Sequence, residues 1–306
     1  MDDALARRAL AELGLDASLL HSPPLNRRRK RAVWRAGGYA LKWFFHGAQA
    51  EKVAAVSRHL HGRGIPLPPP EGPVYLEGGC FLLFPWVDGR MPGYSEPGML
   101  EAITGLLARF HRASEGFGPV EPDMRDWGRL WADERHHLHK LAALAAERDD
   151  DFSRCLLGAL PWLRERIRWC QKLLPAATGA PAPLLGHGDY SRQNLLLGPD
   201  GSLTVIDLDQ VSASLPVRDL SRLITWVDHD LQGWSGERFQ AIVAAYGGLT
   251  PAEFDLLCLD QVMPHLAVDI AREYYGGVRG TCLEELERCL LTDQSKLRDL
   301  QLGPAC

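Results

Sequence analysis

The sequence lacks the segments that mark membrane-spanning and disulfide-bonded proteins. Its longest apolar runs, such as residues 80–87, fall far short of the roughly 18 residues that a membrane helix needs. The acidic start Met1-Asp2-Asp3 predicts no signal peptide. The seven cysteines include no C-x-x-C pair, and their odd number favours reduced thiols over disulfides. These features predict a cytoplasmic protein that is not embedded in a membrane.

Several catalytic motifs are also absent. No G-x-G-x-x-G or G-x-x-x-x-G-K-[ST] segment occurs, so neither the protein-kinase phosphate loop nor a P-loop is present. No G-x-S-x-G elbow precedes a helix, which leaves a hydrolase of the α/β class without its serine. The one histidine cluster, residues 136–139, is surrounded by charged residues and indicates a solvated helix face more than a zinc site.

The composition is that of an ordinary globular protein. The 306 residues are 46% apolar and 24% charged, enough for a sizeable core and for two lobes. A net charge of -5 argues against general nucleic-acid binding. Residues 1–90 carry +5 and residues 210–306 carry -6, which suits phosphates at one end and a cationic acceptor at the other. Ordinary surface variation explains the same asymmetry equally well.

The hydrophobic periodicity predicts an α+β fold. A short helix over 2–15 precedes a hairpin over 31–45, a helix over 48–61 and strands around 74–76 and 81–86. Residues 88–93 break the pattern, so we place a boundary between a sheet-containing part, 1–87, and a larger part, 88–306. The larger part is predicted to be helical over 96–113, 126–147, 152–173, 217–231, 236–246, 251–275 and 282–299, with strands and turns over 184–209.

The most informative stretch is 187–194 together with 205–207. Asp189 and Asn194 have the spacing of the kinase loop H-R-D-L-x-x-x-N, with Gly188 in place of arginine. Asp207 follows Asp189 by 18 positions and ends an apolar run. Phosphoryl transfer needs a carboxylate to receive the hydroxyl proton and oxygen ligands for magnesium. By their spacing, Asp189, Asn194 and Asp207 can supply this set of groups together. Polar turn residues around a hairpin are the alternative.

Lys42 lies on the predicted strand 39–45, in Tyr39-Ala40-Leu41-Lys42, which is comparable to the kinase pattern V-A-I-K. A cation held on a strand can neutralise nucleotide phosphates, and a carboxylate on the next helix can orient it. Glu51 is the only acidic residue between Lys42 and Glu71. We therefore predict that both contribute to cofactor binding. Alternatively, Lys42 is a strand-edge lysine and Glu51 stabilises the first turn of its helix through the macrodipole.

Two further segments are candidates for nucleotide contacts. Phe84 and Trp86 end a strand where backbone groups could bind adenine, although packing between lobes would place them there too. The run of five cations at 27–31 could help to hold a triphosphate, but solvated turn residues explain it better. Three other residues are second-rank candidates: Asp209 beside Asp207, and His187 and Asp219, which we expect to brace the catalytic loop.

Taken together, these residues resemble the aminoglycoside phosphotransferase and choline kinase superfamily, and most of all its bacterial CotS-like branch, named for a spore coat protein. The resemblance covers about residues 39–223, and the H-G-D-x-x-x-x-N and I-D pair is its most specific part. The other matching segments are 41–42, 84–90, 107–111 and 218–220. The resemblance implies a bilobal protein-kinase-like fold and the cofactors ATP and Mg2+. It also implies that Asp189 is the catalytic residue, which receives or orients the acceptor hydroxyl, and that Asn194 and Asp207 are the Mg2+ ligands.

By that resemblance, the expected reaction is transfer of the γ-phosphoryl group to a hydroxyl of a small molecule, which could be cationic. The same resemblance leaves open a catalytically silent binding protein with a spore-coat association, and a kinase that acts on a macromolecule. The identity of the acceptor and the choice between ATP and GTP are not readable from these residues.

Overall fold

The computed structural model describes residues 3–28, 31–118, 127–174, 184–278 and 282–300. The predicted α+β fold is confirmed: an antiparallel sheet comes first, and a mainly helical region follows. The strands are β1 Asn26–Arg28, β2 Arg31–Ala36, β3 Tyr39–Phe44, β4 Glu71–Leu76, β5 Gly79–Pro85, β6 Leu184–Gly186, β7 Leu195–Leu197, β8 Leu203–Val205 and β9 Ser212–Ser214. The helices are α1 Asp3–Glu12, α2 Gly47–Gly62, α3 Met99–Ala113, α4 Trp127–Ala146, α5 Asp151–Leu173, α6 Pro216–Asp230, α7 Gly236–Tyr246, α8 Pro251–Gln261, α9 His265–Tyr275 and α10 Leu283–Asp299.

None of the helices in the described ranges is both long and apolar enough to cross a membrane.

The N-terminal sheet has five strands in the order β1-β2-β3-β5-β4. The predicted hairpin is formed by β2 and β3, and Gly37, with φ 57°, supplies the left-handed conformation of its turn. Lys42 lies in the middle of β3, opposite Val33 on β2 and Leu82 on β5. The strand β1 was not predicted, because the sequence Asn-Arg-Arg carries no apolar alternation.

One face of this sheet is covered by α1. Trp34, Leu41 and Trp43 belong to the buried cluster that also contains Ala6 and Leu10 of the helix. Because side chains alternate along a strand, Lys42, which lies between Leu41 and Trp43 in β3, is on the opposite face. The indole nitrogen of Trp34 donates to Asp3 Oδ1 at 2.9 Å, so the one polar atom of this ring has a partner. Helix α1 therefore covers the face of the sheet opposite to the one that carries Lys42.

The chain divides into two compact units. The first comprises the described parts of Met1–Gly93, Ala108–Val120 and His187–Ser212, and the second comprises those of Tyr94–Leu107, Glu121–Gly186 and Ala213–Cys306. Backbone hydrogen bonds explain why the hairpin β7–β8 groups with the sheet. Val205 N donates to Pro66 O at 2.8 Å, and Leu197 N donates to Arg90 O at 2.7 Å. The sequence-based division after residue 87, which assigns this hairpin to the second part, stays a prediction.

The second unit is mainly helical and contains buried charges that are paired with one another. Arg166, which is 1% exposed, donates to Asp293 Oδ2 at 2.7 Å and to the carbonyl of Val262 at 2.8 Å. Lys296 lies 3.0 Å from Asp228 and donates to Gln261 at 2.9 Å. Such pairing is required because an isolated charge in the interior is strongly unfavourable.

The single helix predicted over 251–275 is wrong. The structure has two helices, α8 and α9, separated at Pro264. Proline lacks the amide hydrogen that continues a helix, and it disfavours helical geometry at the residue before it. Pro264 marks the helix break in the sequence, but the apolar pattern continues on either side of this proline and was interpreted as one helix.

The ring of His265 lies between two carboxylates of the helical unit. Its Nδ1 is 3.0 Å from Glu134 Oε1, and its Nε2 is 3.0 Å from Asp260 Oδ1. Burial disfavours the charged ring, but Asp260 and Glu134 outweigh it and raise the pKa of His265 to about 10. A raised pKa means that the protonated ring stabilises the fold fully below about pH 6.5, and that this stabilisation is lost as the pH rises towards 10.

We therefore predict that His265→Gln lowers the free energy of unfolding by about 2 kcal/mol at pH 6, because charged hydrogen bonds are lost. The difference from wild type should shrink steadily between pH 6.5 and 10. Chemical denaturation at several pH values measures it, with His21→Gln, at an exposed histidine, as the control. A difference that does not change with pH would contradict the predicted ion pairs.

Candidate active site

Asp189 and Asn194 lie in one tight loop between β6 and β7. The Asn194 side chain donates from Nδ2 to the backbone carbonyl of Asp189 at 2.8 Å and to its Oδ2 at 3.2 Å. Asn194 is buried and ends a short 3-10 turn, Arg192–Asn194. The backbone carbonyl of Asn194 accepts a hydrogen bond from Ile206 N at 2.9 Å, which fixes the loop against the residue before Asp207. The three motif residues are therefore neighbours in the structure.

His187 links the same two segments through its ring. Its Nδ1 accepts from the backbone N–H of Asp189 at 3.3 Å, and its Nε2 lies 3.2 Å from the carbonyl of Ile206. An acceptor at Nδ1 means that the ring proton resides on Nε2 and is donated to Ile206. The ring is fully buried. This geometry agrees with a bracing role for His187 and leaves that role a prediction.

Lys42 makes ion pairs with two aspartates. Its Nζ lies 2.6 Å from Asp207 Oδ1 and 2.7 Å from Asp209 Oδ1. The other oxygen of Asp209, Oδ2, lies 2.8 Å from Arg31 Nη1. The Asp207 side chain is 41% exposed, whereas that of Asp209 is 1% exposed. Two cations thus face two carboxylates, of which one is accessible to a ligand.

The two aspartates differ in pKa. Desolvation opposes ionisation of Asp207, but the adjacent Lys42 ammonium outweighs it and lowers the pKa of this carboxyl. For Asp209, desolvation together with the charge of Asp207 outweighs Lys42 and Arg31 and raises the pKa. The accessible carboxylate is therefore the one more easily ionised, as a metal ligand must be.

Asp207 has a left-handed backbone, with φ 61° and ψ 67°. This conformation is uncommon outside glycine and is tolerated by aspartate better than by most residues. It starts a short 3-10 turn, Leu208–Gln210, so Asp207 and Asp209 do not follow the alternation of a regular strand. The turn nevertheless brings both carboxylates to the same ammonium.

Glu51 is not part of this ion-pair cluster. Its carboxylate accepts a hydrogen bond from the Tyr75 hydroxyl. Helix α2 begins at Gly47, so Glu51 also lies beyond the first turn in which the sequence placed it. Within the described residues, the expected Lys42–Glu51 pair is replaced by the pairs of Lys42 with Asp207 and Asp209.

Helix α2 reaches the segment after Asp207 with other side chains. Gln49 donates from Nε2 to the carbonyl of Asp209 at 3.1 Å, and Lys52 donates to the carbonyl of Val211 at 2.8 Å. A helix turns by about 100° per residue, so Glu51 lies about 160° around it from Gln49. The helix therefore contacts the site through a face on which Glu51 does not lie.

A cavity of about 340 Å3 opens beside these residues, within the size range of small-molecule sites. Phe84 and Trp86, which were predicted to contact a nucleotide, both line it, and the contact itself stays a prediction. Lys42 and Asp207 are its charged lining residues. The other lining residues are predominantly apolar and include Val33, Ala40, Val53, Leu67, Leu196, Val205 and Ile206. A ligand with a flat apolar group and an attached anionic group would match this lining.

Trp86 is held in place by its own polar contacts. Its backbone N–H donates to the carbonyl of Gly38 at 2.8 Å, and its indole N–H donates to Asp88 at 2.8 Å. The guanidinium of Arg35 lies 4.5 Å from the ring centroid. The backbone N–H of Trp86 therefore belongs to the sheet, and a base in the cavity would use other backbone groups of this segment.

The remaining sequence candidates have different outcomes. Asp219 is buried in the helical unit and lies close to Gly186, since a Cβ on Gly186 would be 3.3 Å from Asp219 Oδ2.

Of the five cations at 27–31, Arg31 contacts Asp209, while residues 29–30 and the side chains of 27–28 lie outside the described part. Arg31 was not singled out by the sequence. Arg31 lies two residues before Val33, which pairs with Lys42, so strand alternation places Arg31 and Lys42 on the same face of the sheet. This alternation is the sequence signal that could have identified Arg31.

A family model described as phosphotransferase enzyme family matches residues 19–257. The chain belongs to this family. Spore coat protein S of Bacillus subtilis is 24% identical over 274 residues, which cover 80% of this chain and 77% of that protein.

Two solved phosphotransferases share the fold. An aminoglycoside phosphotransferase of Alicyclobacillus acidocaldarius superposes with a TM-score of 0.71 at 18% identity, covering 93% of each chain. An aminoglycoside phosphotransferase of Streptomyces rimosus, solved with ADP and streptomycin, superposes with a TM-score of 0.57 at 21% identity. That alignment covers 86% of this chain and 99% of the other.

The donor set of this chain fits a magnesium ion that arrives with a nucleotide. Asp207 supplies an exposed carboxylate, and Asn194 supplies a carboxamide oxygen while its nitrogen is used towards Asp189. In the described part of the chain, no group of three or more His, Cys, Asp or Glu side chains could hold a metal alone. Magnesium is usually bound by one or two carboxylates together with phosphate oxygens and water, and these two residues could provide the protein ligands.

Gly188 allows two backbone segments of the site to approach closely. Its φ is 77°, and a Cβ at this position would lie 2.4 Å from the carbonyl oxygen of Gln210. Gly201, in the β7–β8 turn, has a similar φ of 81° but open space around its Cα.

We predict that Gly188→Ala destabilises the protein more than Gly201→Ala. Both variants acquire about 1–2 kcal/mol of left-handed backbone strain, but only Gly188→Ala must also displace Gln210. Denaturant unfolding of the two variants against wild type measures the difference. Equal destabilisation would show that the close approach of Gly188 to Gln210 is not a constraint.

Proposed function

We propose that the protein is an ATP- and Mg2+-dependent phosphotransferase that moves the γ-phosphoryl group to a hydroxyl of a small molecule. The observation that carries this proposal is the meeting of Lys42 and Asp207 at an apolar cavity, with Asn194 bonded to both Asp189 and the residue before Asp207. Family membership supports the reaction class.

Each residue has a role that its chemistry suits. The apolar residues around Phe84 and Trp86 take the base, and Lys42 neutralises the phosphates. Asn194 and Asp207 hold magnesium, which when bound neutralises charge that develops on the phosphate oxygens. The ADP bound to the Streptomyces rimosus relative supports a nucleotide in this role, because the two proteins share the fold.

Asp189 receives the proton of the acceptor hydroxyl. The bond between the γ-phosphorus and the oxygen that bridges it to the β-phosphorus breaks, and a bond from the γ-phosphorus to the acceptor oxygen forms. ADP leaves with the electron pair of the broken bond, and the proton remains on Asp189. A carboxylate suits this role because, when ionised, it only accepts hydrogen bonds.

The acceptor is a hydroxylated small molecule. Streptomycin in the Streptomyces rimosus structure supports this class, and the excess of acidic over basic residues in 210–306 suits an acceptor with positive charge. The likeness to spore coat protein S favours a second candidate, a coat-associated binding protein without turnover. A screen of ATP consumption against hydroxylated metabolites separates these candidates, because a silent binding protein would consume no ATP with any of them.

Asp189→Asn should abolish phosphoryl transfer while ATP binds with nearly unchanged affinity. The amide has the size of the carboxylate but cannot take a proton from the acceptor. Turnover is measured with the acceptor that the metabolite screen identifies, and ATP binding is measured by calorimetry. Turnover close to that of wild type would refute the assignment of Asp189 as the base.

Asp207→Asn should remove the magnesium dependence of nucleotide binding. In wild type, ADP should bind at least about tenfold more tightly with Mg2+ than without it, because the metal joins the phosphates to the protein. The variant should show little difference between the two conditions. Asp200→Asn, at an exposed carboxylate that accepts from Ser202 in the β7–β8 turn, is the matched control. A magnesium effect of wild-type size in Asp207→Asn would place the metal elsewhere.

A further inference from the structure

We propose that Asp209 is the residue that positions Lys42 towards the nucleotide phosphates, with Arg31 holding Asp209 in place. A carboxylate of helix α2, Glu51, was expected in this role. In this chain the role belongs to Asp209, two positions after the proposed metal ligand Asp207. The inference rests on the proposed function, because it takes Lys42 as the phosphate ligand.

Asp209 is held from several directions by different elements. Its Oδ1 lies 2.7 Å from Lys42 on β3, and its Oδ2 lies 2.8 Å from Arg31 at the start of β2. Its backbone carbonyl accepts a hydrogen bond from Gln49 on α2 at 3.1 Å. The side chain is 1% exposed. A buried carboxylate with one cation beside each of its oxygens can hold a lysine in one direction.

Asp207 is the weaker candidate for the same role. It also contacts Lys42, at 2.6 Å, but its side chain is 41% exposed and it is the proposed magnesium ligand. If Asp207 were shared with magnesium, Asp209 would remain as the carboxylate committed to Lys42. An ammonium group has three donors, so one can stay on Asp209 while the others contact phosphate oxygens.

Among the described side chains of α2 that contact the site, none is a carboxylate. Gln49 and Lys52 bind backbone carbonyls of the segment after Asp207, and Val53 lines the cavity. Glu51 lies about 160° around the helix from Gln49 and is bonded to the Tyr75 hydroxyl. The Glu51 carboxylate is therefore committed to Tyr75, on the side of the helix away from Gln49.

Arg31 completes the charge balance of this cluster. Without it, two carboxylates would share the single cation of Lys42, and a net negative charge would remain at the almost fully buried Asp209 side chain. Such a charge is unfavourable in the interior and would repel nucleotide phosphates. Arg31 therefore leaves Lys42 free to be shared with an anionic ligand while Asp209 stays in position between the two cations.

The experiment compares Asp209→Asn with Glu51→Gln and measures the binding of Mg·ADP and of adenosine by calorimetry. Adenosine lacks phosphates, so its affinity reports whether the cavity is intact. We expect Asp209→Asn to weaken Mg·ADP binding by about tenfold or more, the loss of one charged hydrogen bond, and to leave adenosine binding unchanged. Glu51→Gln should leave both affinities as in wild type.

Unchanged Mg·ADP binding in folded Asp209→Asn would overturn the inference while the proposed function stands. A loss of Mg·ADP binding in Glu51→Gln would overturn it as well, and this exposed variant decides the question if Asp209→Asn does not fold. Equal weakening of Mg·ADP and adenosine would show that Asp209 acts only by supporting the cavity, and would also overturn the inference. Wild-type protein that binds neither Mg·ADP nor Mg·ATP would overturn the inference and the proposed function together.

Discussion

The ion pairs of Lys42 with Asp207 and Asp209 are the interaction on which the arrangement of the site depends. They join the central strand of the sheet to the turn after β8, two segments that are more than 160 residues apart in the chain. The backbone contacts around them support the same junction, since Val205 bonds to Pro66 and Gln49 bonds to the carbonyl of Asp209. The apolar cavity and the motif loop are brought together by this junction.

The sequence predicted those parts of the fold in which one local rule decides the outcome. Alternation in β3 predicts that Leu41 and Trp43 share one face and that Lys42 lies on the other, and in the structure Leu41 and Trp43 belong to the buried cluster. The motif spacing predicted that Asp189, Asn194 and Asp207 would be neighbours, and hydrogen bonds connect their segments. Their catalytic and metal-binding roles remain proposals.

Other parts could not be read from local pattern. The partner of Lys42 depends on which face of α2 meets the site, and that face is set by Gln49 and Lys52, whose contacts are with distant backbone carbonyls. The position of Asp209 depends on the left-handed backbone of Asp207, a conformation that the residue type permits but does not require. Arg31 lay within a run of five cations, and only its strand register distinguishes it from the others.

Gly188 has a consequence for regulation. Protein kinases have an arginine at this place in the loop, and many of them are switched on when a phosphorylated segment pairs with arginine side chains. Here even a methyl group would lie 2.4 Å from the carbonyl oxygen of Gln210, so an arginine could be installed only by separating the two backbone segments. The kinase device of an arginine that receives a phosphorylated segment therefore does not fit at this position of the loop unless the backbone around Gln210 moves.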